Sequence, residues 1–446
     1  MNAPTGQPIR RNLTLLPLIA ATYFMVSGGP YGLEDIVQMS GYGRALLLLL
    51  ITPFIWSLPA ALMVGELSAA LPEEGGYYAW VRRAMGPFWG FQEAWLSLLA
   101  SVFDMAIYPT LFVLYLGRFI PSLGNGRNAF LLGAAVIAVC AAWNIAGIRA
   151  VGQGSVLLML ALLAPFAVLS VLAISHASTP IHRVAIAPTD LLGGLLVCMW
   201  NYMGWDNAST VAGEVENPQR NYPLAMVACV ALVTVTYLIP VGAAMLAGID
   251  PSRWSTGAWV QAATGLGGSV LGLSVVLGGM ICGLGMSNAL VLSYSRVPYA
   301  MALDGFLPAA FARLHRKTGV PWVSVLVCAA AWTLCLPLGF ERLVQLDLCL
   351  YGGSLLLEFV ALFVLRLREP SLPRPYRVPG GLIGVTALAA CPTVLLAVAF
   401  VHGRHEMAGP VNAVTMSLIL MAGGVLVYFL RRRRAQAIAA ASSPQV

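Results

Sequence analysis

Charge is what this chain has least of. Asp, Glu, Lys and Arg make up 10% of its 446 residues, against 59% hydrophobic, whereas soluble domains carry about 25% charged residues. The shortage excludes a soluble multidomain enzyme, and the apolar excess excludes a disordered or fibrous chain. Lysine is nearly missing: Lys317 is the single one, and the remaining basic residues are Arg. Only five histidines occur, all in expected loops or at a span end. That argues against a metal centre and leaves no histidine base inside a span for an intramembrane hydrolase or acyltransferase. The eight cysteines are scattered through apolar segments without a CxxC pair, so they read as packing residues, with no disulfide framework or metal site. No cleavable signal peptide is expected, because the first apolar stretch after Arg10 and Arg11 is too long.

What the chain does have is long apolar runs, such as Ala45–Ala61 and Val156–Ala173, the mark of membrane-spanning helices. Twelve spans are predicted. The first six are Leu13–Met39, Arg44–Leu71, Gly86–Ile120, Ala129–Ala146, Val151–Ser175 and Thr189–Gly213. The second six are Pro223–Gly248, Leu266–Ala302, Trp322–Leu338, Leu343–Leu367, Leu382–His402 and Val411–Leu430. The fold class is therefore an all-α polytopic membrane protein. An even number of spans puts both termini on one side. Placing them in the cytoplasm leaves 18 Lys/Arg inside and seven outside, the bias expected of cytoplasmic termini. The net charge of +7 thus reports orientation and contact with lipid headgroups, above all at Arg431–Arg434, and no nucleic-acid partner is expected.

Two spans are interrupted at corresponding places. Helix 1 holds Ser27-Gly28-Gly29-Pro30-Tyr31-Gly32, followed by Glu34 and Asp35; helix 6 holds Tyr202-Met203-Gly204-Trp205-Asp206-Asn207. Glycine and proline are common in membrane helices, but such breaks free backbone groups that hydrocarbon cannot satisfy, and acids cluster at both. Broken helices five spans apart point to inverted five-helix repeats with a binding site at the midplane. The expected organisation is a cytoplasmic tail at 1–12, repeats at 13–175 and 189–367, peripheral helices over 382–430, and a basic cytoplasmic tail at 431–446.

Two segments carry a family resemblance: "ELSAALPEEGGYYAWVRRAMGPFWG" from Glu66 to Gly90, and "SRVPYAMALDGFLPAAFARLHRKTGVPW" from Ser295 to Trp322. The chain resembles the amino acid–polyamine–organocation permeases over nearly its whole length. "VSGGPYGLED", "FDMAIYP" and "WDNASTVAGEVENP" are similar to the plant and protist polyamine-uptake branch. The resemblance implies a LeuT-like fold with ten core helices and two peripheral ones, and proton-coupled uptake of polyamines or amino acids. It implies no cofactor.

A polyamine is a flexible chain of ammonium groups, so its site requires separated carboxylates, helped by aromatic faces. Glu34, Asp35, Asp104 and Asp206 are the candidates, with Tyr31, Tyr108, Tyr202, Trp205 and Asn207 beside them. The competing reading is that these acids only cap helix ends or accept tyrosine hydrogen bonds. In amino acid carriers of the superfamily, free N–H groups of the helix 1 break hold a substrate carboxylate. Ser27, Gly28, Gly29 and Gly32 supply such groups here, and Pro30 cannot. Helix 8, "GLGMSNALVLSYSR", has no carboxylate for a distal ammonium. Helix 5 has no ionisable residue over Val151–Ser175, so a coupling proton needs a carboxylate, with Asp206 and Glu66 as candidates. Glu66 reads equally as a cytoplasmic gate paired with a basic residue such as Arg82, while Glu93, Asp347 and Glu358 read as packing residues. An exchanger without proton coupling and a passive channel remain the alternatives.

Overall fold

The computed structural model describes residues 13–177, 190–338, 340–402, 404, 407–408 and 411–441. The expected N-terminal tail and the last five residues of the expected C-terminal tail lie outside them. The described chain is almost wholly helical, and nine of its helices are long and apolar enough to cross a membrane. The expected spans missing from that count are the ones centred on the two breaks and the short ninth one.

The first interrupted span begins with α1 (Leu15–Val26), and its chain resumes as α2 (Glu34–Thr52). A single π-helical turn, Pro53–Ser57, joins α2 to α3 (Leu58–Ala70). The boundary expected between the first two spans is a kink inside α2 at Gly41, where φ is 69°. A short helix that periodicity did not predict, α4 (Tyr77–Met85), precedes the long α5 (Pro87–Phe119). Then come α6 (Gly126–Ile145) and α7 (Ile148–Ser175).

The second interrupted span is α8 (Leu191–Asn201), a break, and a 3-10 segment, Trp205–Glu214. Its end is tied to the start of α1: the Leu13 N–H donates to Glu214 O at 3.1 Å, and the Glu216 N–H donates to Leu13 O at 2.9 Å. The chain continues through α9 (Pro218–Leu246), α10 (Ala258–Tyr294), α11 (Arg296–Leu303), α12 (Trp322–Cys335) and α13 (Phe340–Arg368). Beyond α14 (Gly381–His402), two-residue strands β1 (Met407–Ala408) and β2 (Val411–Asn412) pair antiparallel ahead of α15 (Ala413–Ala441). Arg431–Arg434 are therefore part of the last helix, where a tail was expected.

α5 packs on both α10 and α13, and α1 packs on α7 and α9. The cores of α5 and α13 are buried, whereas α14 and α15 expose most of their apolar surface, as helices facing lipid do. All eight cysteines are free thiols.

Candidate functional site

The two breaks lie against each other. Gly204 has φ of 94°, and a Cβ there would come within 2.5 Å of the Met25 carbonyl oxygen. Glycine alone permits both that backbone and that approach. Between the breaks, α5, α10 and α13 is a cavity of about 20 Å³ whose lining includes Gly28, Tyr31, Asp104, Tyr108, Asn207, Tyr294 and Tyr351. That volume accommodates about one water molecule. It is too small for an organic molecule of several non-hydrogen atoms.

Asp104 and Asp206 approach this cavity differently. Asp104 lines it and accepts from the hydroxyl of Tyr108, one turn along α5, and from Tyr294 at 3.2 Å. Asp206 stands behind Tyr351, whose hydroxyl donates to it at 2.6 Å and accepts from the Gly204 N–H at 3.0 Å. Asn207 accepts at Oδ1 from Ser293 at 2.8 Å. Both acids are buried. Among the described residues, no arginine or lysine forms an ion pair with either.

The remaining candidates separate into cavity and scaffold. Tyr31 lines the cavity while its hydroxyl donates to Val275 O at 2.6 Å. Tyr202 donates to Leu49 O at 3.0 Å, and the Trp205 indole donates to Tyr202 O at 2.8 Å; both brace the second break from outside the lining. Glu34 also stands away from the lining. It accepts from the Gly32 N–H at 2.7 Å, the Gly257 N–H at 3.0 Å and the Tyr115 hydroxyl at 3.0 Å, so it clamps the break to the start of α10. Asp35 accepts from Thr256 at 3.4 Å. Within the first break, the Ser27 N–H donates to Tyr23 O at 2.6 Å and the Gly29 N–H to Ser27 Oγ at 3.0 Å. With Gly32 engaged by Glu34, three of the four backbone donors expected to seat a carboxylate already have acceptors, and only Gly28 lines the cavity.

The profile of the family described as amino acid permease matches residues 19–428. The chain belongs to that family. Polyamine transporter PUT1 of Oryza sativa subsp. japonica is 37% identical over 418 residues, covering 92% of this chain and 78% of the relative. Polyamine transporter RMV1 of Arabidopsis thaliana is 35% identical over 433 residues, covering 94% and 87%. The serine/threonine exchanger SteT of Bacillus subtilis is 26% identical over 437 residues, covering 95% of each chain. The permease is thus an integral membrane transporter and not an enzyme.

Two features of the permease differ from expectation. Glu66 does not pair with Arg82. It is completely buried, is engaged by Arg366 of α13 through both oxygens, and has Arg374 at 3.3 Å and the Val378 N–H at 2.7 Å. Arg82 instead pairs with Asp304 and lies over the Tyr78 ring. An arginine on the loop after α13 and one near the end of α13 reach Glu66 because α13 packs against α3, a proximity sequence spacing does not encode.

Glu93, Asp347 and Glu358, read as packing residues, are fully buried carboxylates on α5 and α13, the helices that pack beside the cavity. Asp347 and Glu358 have no hydrogen-bond partner at any carboxylate oxygen. A signal for them was present: Glu93 and Asp104 have the same spacing on α5 as Asp347 and Glu358 on α13. Eleven residues is close to three helical turns, so each pair falls near one helix face.

Proposed function

We propose that this permease carries organic cations of the polyamine class by proton-coupled uptake. The observation that carries this reading is the pair of buried acids at the junction of the breaks: Asp104 and Asp206 are hydrogen-bonded to tyrosines and paired with no described basic side chain. A buried carboxylate without a cation is costly. An ammonium group and a proton both relieve that cost, and they compete for the same oxygens. Tyr31 and Tyr108 add aromatic faces on which a cation is favoured. The polyamine transporters among the relatives support the same substrate class.

The serine/threonine exchanger among the relatives favours a second reading, exchange of amino acids without proton coupling. The first break argues against it, since Ser27, Gly29 and Gly32 already spend their N–H groups on internal acceptors. In our reading the chain is a LeuT-like bundle of twelve spans, with repeats at 13–175 and 189–367, in the plasma (inner) membrane, and both termini cytoplasmic. The breaks and the small cavity between them suit alternating access, in which separation of the helices on one side admits substrate.

Uptake into proteoliposomes tests the reading. Putrescine and spermidine should accumulate under an imposed pH gradient, and a proton ionophore should collapse that accumulation. Asp206→Asn should abolish uphill accumulation while leaving downhill flux. If the variant still concentrates substrate, the proton site lies elsewhere and Glu66 is the next residue to examine. Failure of the wild type to take up either amine, with serine or threonine exchanged instead, would replace the proposal by the second reading.

A further inference from the structure

The buried seam between α5 and α13 carries an acidic pole at each end. The Ser97 and Ser354 hydroxyls, 2.9 Å apart, fix the register. One turn from that contact lie Glu93 on α5 and Glu358 on α13, toward the α4 end; about two turns from it in the other direction lie Asp104 and Asp347. The poles are about 16 Å apart along the helices, from eleven residues at 1.5 Å each.

The α4 pole belongs to neither the cavity lining nor the tyrosine-bonded acids above. Glu93 and Glu358 are both fully buried. Glu93 accepts at Oε1 from Ser97 at 2.9 Å and Ser354 at 2.7 Å, while its Oε2 and both oxygens of Glu358 have no partner. Independently of the acids, the Tyr77 side chain enters from α4, is fully buried, and has an unpartnered hydroxyl. α4, which carries Tyr77, packs on both α5 and α13. Among the described residues no basic side chain forms an ion pair with Glu93 or Glu358. Three open carboxylate acceptors beside an aromatic ring complement an ammonium group, which brings three donors and no acceptor. Two adjacent buried carboxylates do not remain ionised together without such a cation.

We infer that Glu93, Glu358 and Tyr77 form a second ammonium-binding station, which receives the distal ammonium of a substrate with three or more such groups. The inference rests on the polyamine reading above and extends it to chain length. A diamine is satisfied by Asp104 and Asp206; a triamine places its additional charge at the α4 pole. The absence of a carboxylate in α10 is then no obstacle to polyamine binding, since α13 supplies the distal anchor.

The test is equilibrium binding of putrescine and spermidine to purified protein, wild type against Glu358→Gln. The variant is expected to raise the Kd for spermidine at least tenfold and to change that for putrescine less than about twofold. Equal changes for both amines, or none for spermidine, overturn the inference while leaving the polyamine reading intact. A wild type that binds neither amine removes that reading and this station with it. Should Glu358→Gln fail to fold, labelling of the wild type with a hydrophobic carbodiimide, mapped by mass spectrometry, gives the same answer. Spermidine is expected to protect Glu93 and Glu358 well beyond putrescine, and equal or no protection overturns the assignment.

Discussion

The hydroxyl of Tyr351 is bonded at once to the carboxylate of Asp206, at 2.6 Å, and to the backbone N–H of Gly204, at 3.0 Å. One side chain from α13 therefore holds both the charge and the main chain of the second break. The Asp206 carboxylate is thereby linked to the backbone of the break and to α13 through one hydroxyl.

Tyr351→Phe should consequently impair both stability and function. It leaves a buried N–H and a buried carboxylate oxygen each short of a partner, at about 1–3 kcal/mol per group. The expected outcome is a loss of roughly tenfold or more in apparent substrate affinity, with the protein still monodisperse in detergent. Uptake kinetics as a function of substrate concentration measure it, and an unchanged KM would show that the Tyr351 contact is incidental.

The junction of the breaks should tolerate no side chain at position 204. Gly204→Ala introduces a methyl group against the Met25 carbonyl in a left-handed backbone, with a cost of at least roughly 3 kcal/mol. Gly43→Ala is the control, because a methyl there meets nothing within 4 Å; it should be neutral or slightly stabilising. Thermal melting of the two variants in detergent separates them.

Glu66 and Arg82 should differ sharply despite both lying near the α4 region. Glu66→Gln removes the counter-charge of Arg366 and weakens the hold on Arg374, whose side chains are 1% and 5% exposed. Breaking a buried pair in this way costs about 3–5 kcal/mol. Arg82→Met breaks a pair whose partners are 34% and 25% exposed, expected to cost about 0–1 kcal/mol. Melting temperatures that fall equally for both would contradict the assigned partners.

Glu74, in the loop between α3 and α4, should make stability depend on pH. Burial, reinforced by the negative charge of Glu214 and opposed by Arg296, pushes its carboxyl from the ordinary 4.5 to about 8. A carboxyl whose folded pKa is raised contributes stability fully present below its unfolded pKa and lost as pH rises through the folded value. The window is therefore between 4.5 and about 8. The melting temperature of wild type should fall from about pH 6 to about pH 9, and Glu74→Gln should flatten that slope. An unaltered slope in the variant would assign the dependence to another group.

The sequence by itself determined the apolar spans, the two breaks and the burial of acids, because each is a local consequence of composition. Hydrocarbon-length runs specify helices, and the Gly-Gly-Pro and Met-Gly-Trp segments interrupt them wherever they are placed. What only the tertiary structure decided is which groups meet across helices. Asp104 and Asp206 were legible as site acids, but the hydroxyls that hold them come from Tyr108, Tyr294 and Tyr351, the last two on other helices. Glu34 was legible as an acid beside a break, yet its three donors are arranged so that it serves the scaffold. The identical spacing of Glu93–Asp104 and Asp347–Glu358 was visible in one dimension, but the antiparallel register set at Ser97 and Ser354 is what brings the pairs together. Helix packing fixes rotation and register jointly through contacts far apart in sequence, so no local pattern specifies them.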